Sequence, residues 1–282
     1  MPEVEFVSGG WNGALRPGAP NLKIIPYPAC LDFDYDAAID DNCDLPSFKA
    51  KAKRKVWLQH NEWGGVDPLP RCLEAADACV VVSDHKRATM REHGLSPKVS
   101  TIGFGFDPKQ WEVPAVERSG AGTTFNGMAD PGRYEVRDFT AKINDWIPLT
   151  VIGHCNEGAP VHAVVAPYGF DAYKAELNKL AVWIYTIYGE QMGMSTYEAM
   201  MLGIPVVTAS QPEAWNFLFD NWNCKITRRP PCDSVEWMAD AAKELLADPA
   251  RAKAMGEAGR RTVTERFPLK SVGEQYRKVL FG

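Results

Sequence analysis

One stretch constrains the fold of this 282-residue chain more than any other: Gly189-Glu190-Gln191-Met192-Gly193-Met194-Ser195-Thr196-Tyr197-Glu198-Ala199-Met200-Met201-Leu202-Gly203-Ile204-Pro205-Val206-Val207. An apolar strand at 182–186 runs into a glycine-containing loop. A helix opens near Ser195 and closes at Gly203, and a further strand follows at 205–208. A strand–loop–helix–strand unit of this kind belongs to a parallel α/β sheet, and such sheets bind ligands at the carboxyl ends of their strands. The first-turn N–H groups of a helix lack partners within the helix and carry partial positive charge. With Gly193 allowing close approach, the turn formed by Gly193, Met194 and Ser195 suits a diphosphate.

Two carboxylates flank that turn. Glu190 precedes it and Glu198 lies two turns inside the helix. Beside a phosphate they would repel it unless they face something else, and sugar hydroxyls are the natural partners, since a carboxylate accepts bonds from both oxygens of a vicinal diol. A glycosidase pair fits less well. Eight helical positions put the two backbones ~12 Å apart, whereas glycosidase carboxyl groups sit about 5–9.5 Å apart. The neighbours Ala199, Met200 and Leu202 predict a largely buried helix, so Glu198 needs a partner.

The rest of the chain alternates short apolar runs with helical patterns. Strands are expected at 4–8, 22–26, 36–40, 56–59, 78–83, 99–102, 123–126, 149–152 and 163–166. Helices are expected at about 69–76, 85–93, 133–144, 170–179, 195–202, 234–246, 249–264 and 270–280. Residues 108–122 carry proline, glycine and charge without periodicity and read as a linker between two α/β halves. The first half is short for a Rossmann-like unit, at ~30 residues per βαβ element.

Composition excludes several classes. The hydrophobic share of 45% permits a sizeable core, and a formal net charge of -5 argues against a general nucleic-acid or anionic-membrane binder. No stretch approaches the ~18 apolar residues of a membrane span. The seven cysteines are scattered, with no C-x-x-C pair, which fits reduced thiols in a cytoplasmic protein. No His/Cys cluster points to a metal.

The 189–207 stretch resembles the E-x7-E signature of the retaining GT-B glycosyltransferases of the large family-four type, in the form E-G-F-G-x-x-x-x-E-A-x-A-x-G-x-P-V-V. Thr101-Ile102-Gly103-Phe104-Gly105-Phe106-Asp107 resembles that family's interdomain motif. Val80-Val81-Val82-Ser83 followed by a helix, and the tail with Asp248-Pro249, Arg266-Phe267 and a closing helix, are similar as well. The resemblance implies an α/β GT-B fold: two Rossmann-like domains with parallel sheets facing each other across a cleft. An acceptor-side domain would span 1–110, a nucleotide-sugar-binding domain 111–265, and a helix at 266–282 would cross back to the first domain.

Roles follow from the resemblance. Glu198 would bind the ribose hydroxyls and Glu190 the donor sugar. The amides of Gly193, Met194 and Ser195 would hold the diphosphate, and His60 would lie near the transferred sugar. The family's G-R-L-x-x-E-K-G motif supplies an arginine and a lysine to the diphosphate. Here the segment reads Gly127-Met128-Ala129-Asp130-Pro131-Gly132-Arg133, so Met128 replaces the arginine and Arg133 falls at the lysine position, with Arg137 one turn on. Apart from the resemblance, Tyr168 or Phe170 reads either as a ring that stacks the base or as core packing. The expected reaction transfers a hexose, glucose by default, from a UDP-sugar co-substrate with no cofactor or metal. The Met128 substitution leaves open a degenerate GT-B protein that binds a nucleotide or glycan without turnover. A dinucleotide-dependent enzyme is disfavoured, because Gly9-Gly10…Gly13 makes a poor G-x-G-x-x-G.

The acceptor is not legible: a saccharide, a lipid and a hydroxymethylated base in phage-type DNA all stay open. Lys49, Lys51, Lys53, Arg54 and Lys55 place five cations in seven residues. They read either as a solvated helix face or, through Lys51, Lys53 and Arg54, as a phosphate-contacting acceptor patch.

Overall fold

In the computed structural model, residues 6–9, 22–25, 34–41, 51–59, 76–92, 98–124, 134–153, 161–165, 169–186, 193–209, 217–227 and 234–282 are described. The chain divides into one unit of Met1–Gly103 with Val272–Gly282 and another of Phe104–Ser271.

The second unit holds a six-stranded, all-parallel sheet. Its strands are β7 (Ser119–Thr124), β8 (Leu149–Ile152), β9 (Ala163–Val165), β10 (Leu180–Tyr185), β11 (Val206–Ala209) and β12 (Lys225–Thr227), ordered β9-β8-β7-β10-β11-β12. In chain order that is 3-2-1-4-5-6, the doubly wound Rossmann arrangement, with its switch point between β7 and β10. One face is covered by α2 (Tyr134–Trp146) and α5 (Val235–Ala247), where Phe139, Ile143, Met238 and Leu245 pack on Ala121, Leu149, Val182, Ile184 and Val207. Burial on both faces explains why β10 and β11 read as continuous apolar runs rather than alternating ones. The remaining helices are α3 (Phe170–Asn178), α4 (Met194–Met201) and α6 (Pro249–Arg266). Every residue of α4 after Met194 is buried.

The first unit holds a parallel sheet ordered β3 (Asp34–Asp41), β4 (Lys51–Gln59), β5 (Ala78–Val81) and β6 (Val99–Thr101), and a separate parallel pair, β1 (Phe6–Gly9) and β2 (Leu22–Ile25). Alternation along β5 sends Cys79 and Val81 to one face, with Trp57, Val99 and Met90 of α1 (Asp84–Glu92). It sends Ala78 and Val80 to the other, with Val56, Ile102, and Val272 and Leu280 of the last helix, α7 (Leu269–Phe281).

Two expectations change. The cation run is not a helix: residues 51–55 begin β4, where the period of two sets Lys51, Lys53 and Lys55 on one face and Ala52 and Arg54 on the other. The segment 108–122, expected as a linker, has local structure of its own. Pro108–Trp111 form a 3-10 turn capped by Asp107, whose Oδ1 accepts the Lys109 N–H at 3.0 Å, and Trp111 is buried. Lys174 Nζ donates to the Gln110 carbonyl at 2.7 Å and Asn178 Nδ2 to that of Pro114 at 2.9 Å, before β7 starts at Ser119.

Candidate functional site

The site is set by topology first. β7 and β10 are hydrogen-bonded neighbours on either side of the switch point. The chain leaves β7 after Thr124 toward α2, and leaves β10 after Tyr185 toward α4. Both connections therefore start from the carboxyl edge of the same two strands, where an open α/β sheet receives its ligand. The first carries Arg133, next to the first residue of α2, and the second carries Glu190. Arg133, Glu190, Tyr168 and His60 lie outside the described residues, as does the side chain of Arg137, whose backbone belongs to α2.

At the start of α4, Gly193 is the N-cap in an extended conformation (φ −65°, ψ 100°) with no side-chain cap. The Tyr185 ring occupies the space that a Cβ at Gly193 would need, so the glycine is required here by close packing. Its carbonyl accepts the Thr196 N–H at 2.9 Å. Ser195 and Thr196 are 8% and 0% exposed, and neither hydroxyl has a hydrogen-bond partner. Thr123, fully buried near the end of β7, carries a third unpartnered hydroxyl. Thr186, just past β10, shares a hydrogen bond of 3.1 Å with Thr140 of α2. Buried hydroxyls are normally satisfied. The Ser195, Thr196 and Thr123 hydroxyls are exceptions, the first two in the opening turn of α4.

Glu198 is 8% exposed, and the Tyr173 hydroxyl of α3 donates to its Oε2 at 2.7 Å. Phe170, one turn before Tyr173, meets Trp111 edge to face at 5.1 Å and lies under the Lys174 ammonium at 4.8 Å. Behind Glu198, Tyr197 stacks on Phe106 (5.9 Å between ring centroids) and meets Phe217 and Phe267. Burial pushes the Tyr197 phenol well above its ordinary pKa. Phe106, from the motif at 101–107, also exchanges backbone hydrogen bonds with Phe267 and Leu269.

The C-terminus of α4 is held by a residue the sequence did not single out. Arg118 donates Nε to the Asn178 carbonyl (3.1 Å), Nη1 to that of Gly203 (3.0 Å), and Nη2 to Asn178 Oδ1 (2.8 Å) and the Leu202 carbonyl (2.6 Å). Burial, aided by nearby Arg260, lowers its pKa from the usual arginine value. Tyr173 and Arg118 left no local signal, because their partners are 25 and 60–85 residues away.

Of the acceptor-side candidates, Lys53 pairs with Asp36 at 2.7 Å with both side chains largely exposed, and Asp36 raises the Lys53 pKa. Lys51 is exposed, while the buried Nε of Arg54 has no partner. The sequence also carries two overlapping D-x-D triplets, Asp32-Phe33-Asp34 and Asp34-Tyr35-Asp36. Asp34 and Asp36 share one face of β3 and Asp36 is engaged by Lys53. Among the described residues, no group of three or more His, Cys, Asp or Glu is placed to hold a metal ion. Among them, too, no helix is long and apolar enough to cross a membrane.

Residues 141–277 match the family model described as glycosyl transferase-like. No curated protein matches the sequence. Solved structures share the fold. A point mutant of S. aureus TarM, in complex with fondaparinux, alpha-GlcNAc-glycerol and UDP, superposes with a TM-score of 0.69 at 15% identity, over 86% of this chain and 55% of that one. Sucrose-phosphate synthase from Thermosynechococcus elongatus gives 0.66 at 18% identity, over 87% and 74%. Anabaena HepE in complex with UDP gives 0.67 at 14% identity, over 92% and 85%. This chain thus spans little more than half the length of TarM. The chain has the α/β fold with two parallel sheets of these GT-B structures, and from α2 to α7 its sequence is glycosyl transferase-like.

Proposed function

We propose that this chain is a glycosyltransferase that moves a hexose, glucose by default, from a UDP-sugar to an acceptor hydroxyl with retention of configuration. The observation that carries the reading is the buried start of α4 at the β7/β10 switch point. There an uncapped helix N-terminus, the orphan Ser195 hydroxyl and the buried Glu198 carboxylate lie within the first two turns of one helix. That combination suits a molecule with an anionic diphosphate and a neutral diol. The resemblance at 189–207 and the UDP in the TarM and HepE complexes support the same ligand class.

Breaking the sugar–phosphate bond leaves positive charge on the sugar ring and added negative charge on the diphosphate. The main task is to stabilise that leaving group with preorganised donors. In this reading the α4 amides, Ser195, Arg133 and Arg137 do so, Glu198 takes the ribose and Glu190 the transferred sugar. Tyr168 or Phe170 holds the base, and His60 is the proposed sugar-side histidine. The acceptor is a saccharide, a lipid or a modified DNA base, with Lys51, Lys53 and Arg54 as acceptor-side contacts. The reaction proceeds in the cytoplasm without a metal or other cofactor.

The test is slow donor hydrolysis across a panel of UDP-, GDP- and ADP-sugars, followed by Glu198→Ala on the best donor. Donor use should fall at least tenfold in the variant, about the worth of one charge-assisted hydrogen bond. Binding of nucleotide without turnover of any donor would instead favour the degenerate reading that Met128 suggests, and unchanged kinetics in the variant would remove Glu198 from the site.

A further inference from the structure

We infer that Tyr173 is a positioning residue for the ribose end of the donor site, acting through Glu198. The inference rests on the donor-site reading above and adds a residue to it. A glutamate on a helix has three side-chain torsions, so a carboxylate that must meet two vicinal hydroxyls at once gains from being held in one rotamer. The Tyr173 hydroxyl supplies that hold. It donates to Glu198 Oε2 at 2.7 Å, in the short range of bonds to a carboxylate. A carboxylate has about four lone-pair sites, and the phenol hydrogen takes one of them.

Tyr173 is itself well placed to be rigid. It lies on α3, whose N-terminal turn is fixed by Phe170 against Trp111 and whose Lys174 and Asn178 bond to the backbone at Gln110 and Pro114. The other end of α3 is joined to the end of α4 by Arg118, which bonds the carbonyls of both Asn178 and Leu202. Donor and acceptor of the Tyr173–Glu198 bond therefore sit on two helices clamped together.

A purely structural role would lower stability and weaken every ligand alike. A positioning role acts only on ligands that use the diol. The test is calorimetric titration of wild type and Tyr173→Phe with UDP and with 2′,3′-dideoxyuridine 5′-diphosphate. The phenyl ring keeps the packing, and thermal melting checks the fold. The expected result is UDP binding weakened about tenfold in Tyr173→Phe, dideoxy-nucleotide binding unchanged, and no further loss when the substitution is added to Glu198→Ala. Equal weakening of both nucleotides, or no weakening of either, overturns the inference while leaving the donor site intact. If wild type binds none of UDP, GDP or ADP, the donor-site reading fails and this inference fails with it.

Discussion

At the scale of single residues, the site separates groups that hold the fold from groups held in readiness. Ser195 belongs to the second kind. Its hydroxyl is buried and makes no bond, so removing it deletes no interaction and relieves a desolvated polar atom. Ser195→Ala is expected to leave the unfolding free energy unchanged within about 0.5 kcal/mol, or to raise it. In the proposed donor site the same change removes a hydrogen bond to the charged phosphate and should raise the donor KM about tenfold. Urea denaturation and donor-hydrolysis kinetics read the two effects, and an unaltered KM would take Ser195 out of the site. Arg118 is of the first kind. Its guanidinium serves four acceptors at the ends of α3 and α4, and Arg118→Ala leaves buried carbonyls unsatisfied. A loss of about 2–4 kcal/mol is expected in urea. Arg118→Lys should recover little of it, because an ammonium cannot reproduce the planar fork.

At the scale of elements, most strands and helices were readable because their apolar periods are clean. The strand Leu149–Ile152 was bounded as it stands, and α2, α3, α4, α5 and α7 fall within two residues of the expected spans. The failures have physical reasons. β7 opens with Ser119-Gly120-Ala121-Gly122, which has no β-branched residue, yet it runs between β8 and β10. A Cβ on Gly122 would meet the Leu180 side chain. The second half of β4, 56–59, was expected, but its first half, 51–55, hid behind lysines, whose charges mark the exposed flank of a strand as readily as that of a helix. β12 is three residues long and starts at Lys225. In the site, the glycine and the helix start at 193–195 were legible because they are local, while the Tyr173–Glu198 bond joins two elements and has no signature in either. α4 is also confined from behind. Gly203 ends it at φ 69°, and a Cβ on Gly256 of α6 would overlap the Gly203 carbonyl. Gly256→Ala must push the backbones apart and is expected to cost about 1–3 kcal/mol. It should also raise the donor KM by moving α4, whereas Gly273→Ala, in a helix with open space around its Cβ, should leave the KM unchanged and raise stability by about 0.5–1 kcal/mol.

At the scale of the whole molecule, the chain ends by completing the unit in which it began. The β5 face that carries Ala78 and Val80 has Val56 and Ile102 beside it and is closed by Val272 and Leu280, both 8% exposed. These two residues follow the entire second unit in sequence, on a helix that begins at its end. The first unit therefore lacks one wall of its core until the last residues are in place. Truncation after Ser271 removes about 1.5–3 kcal/mol for each of the two side chains and leaves an apolar sheet face in water. The second unit, Phe104–Ser271, keeps its own core around Ile143, Leu149, Ile184 and Met238. Limited proteolysis with mass spectrometry distinguishes the two. The truncated chain should be cut within residues 76–101 at least tenfold faster than the full chain, while cleavage within 134–152 and 235–266 stays unchanged. Equal protection of 76–101 in both chains would show that the first unit closes without α7. Loss of protection in all three regions would show that the two units fold as one.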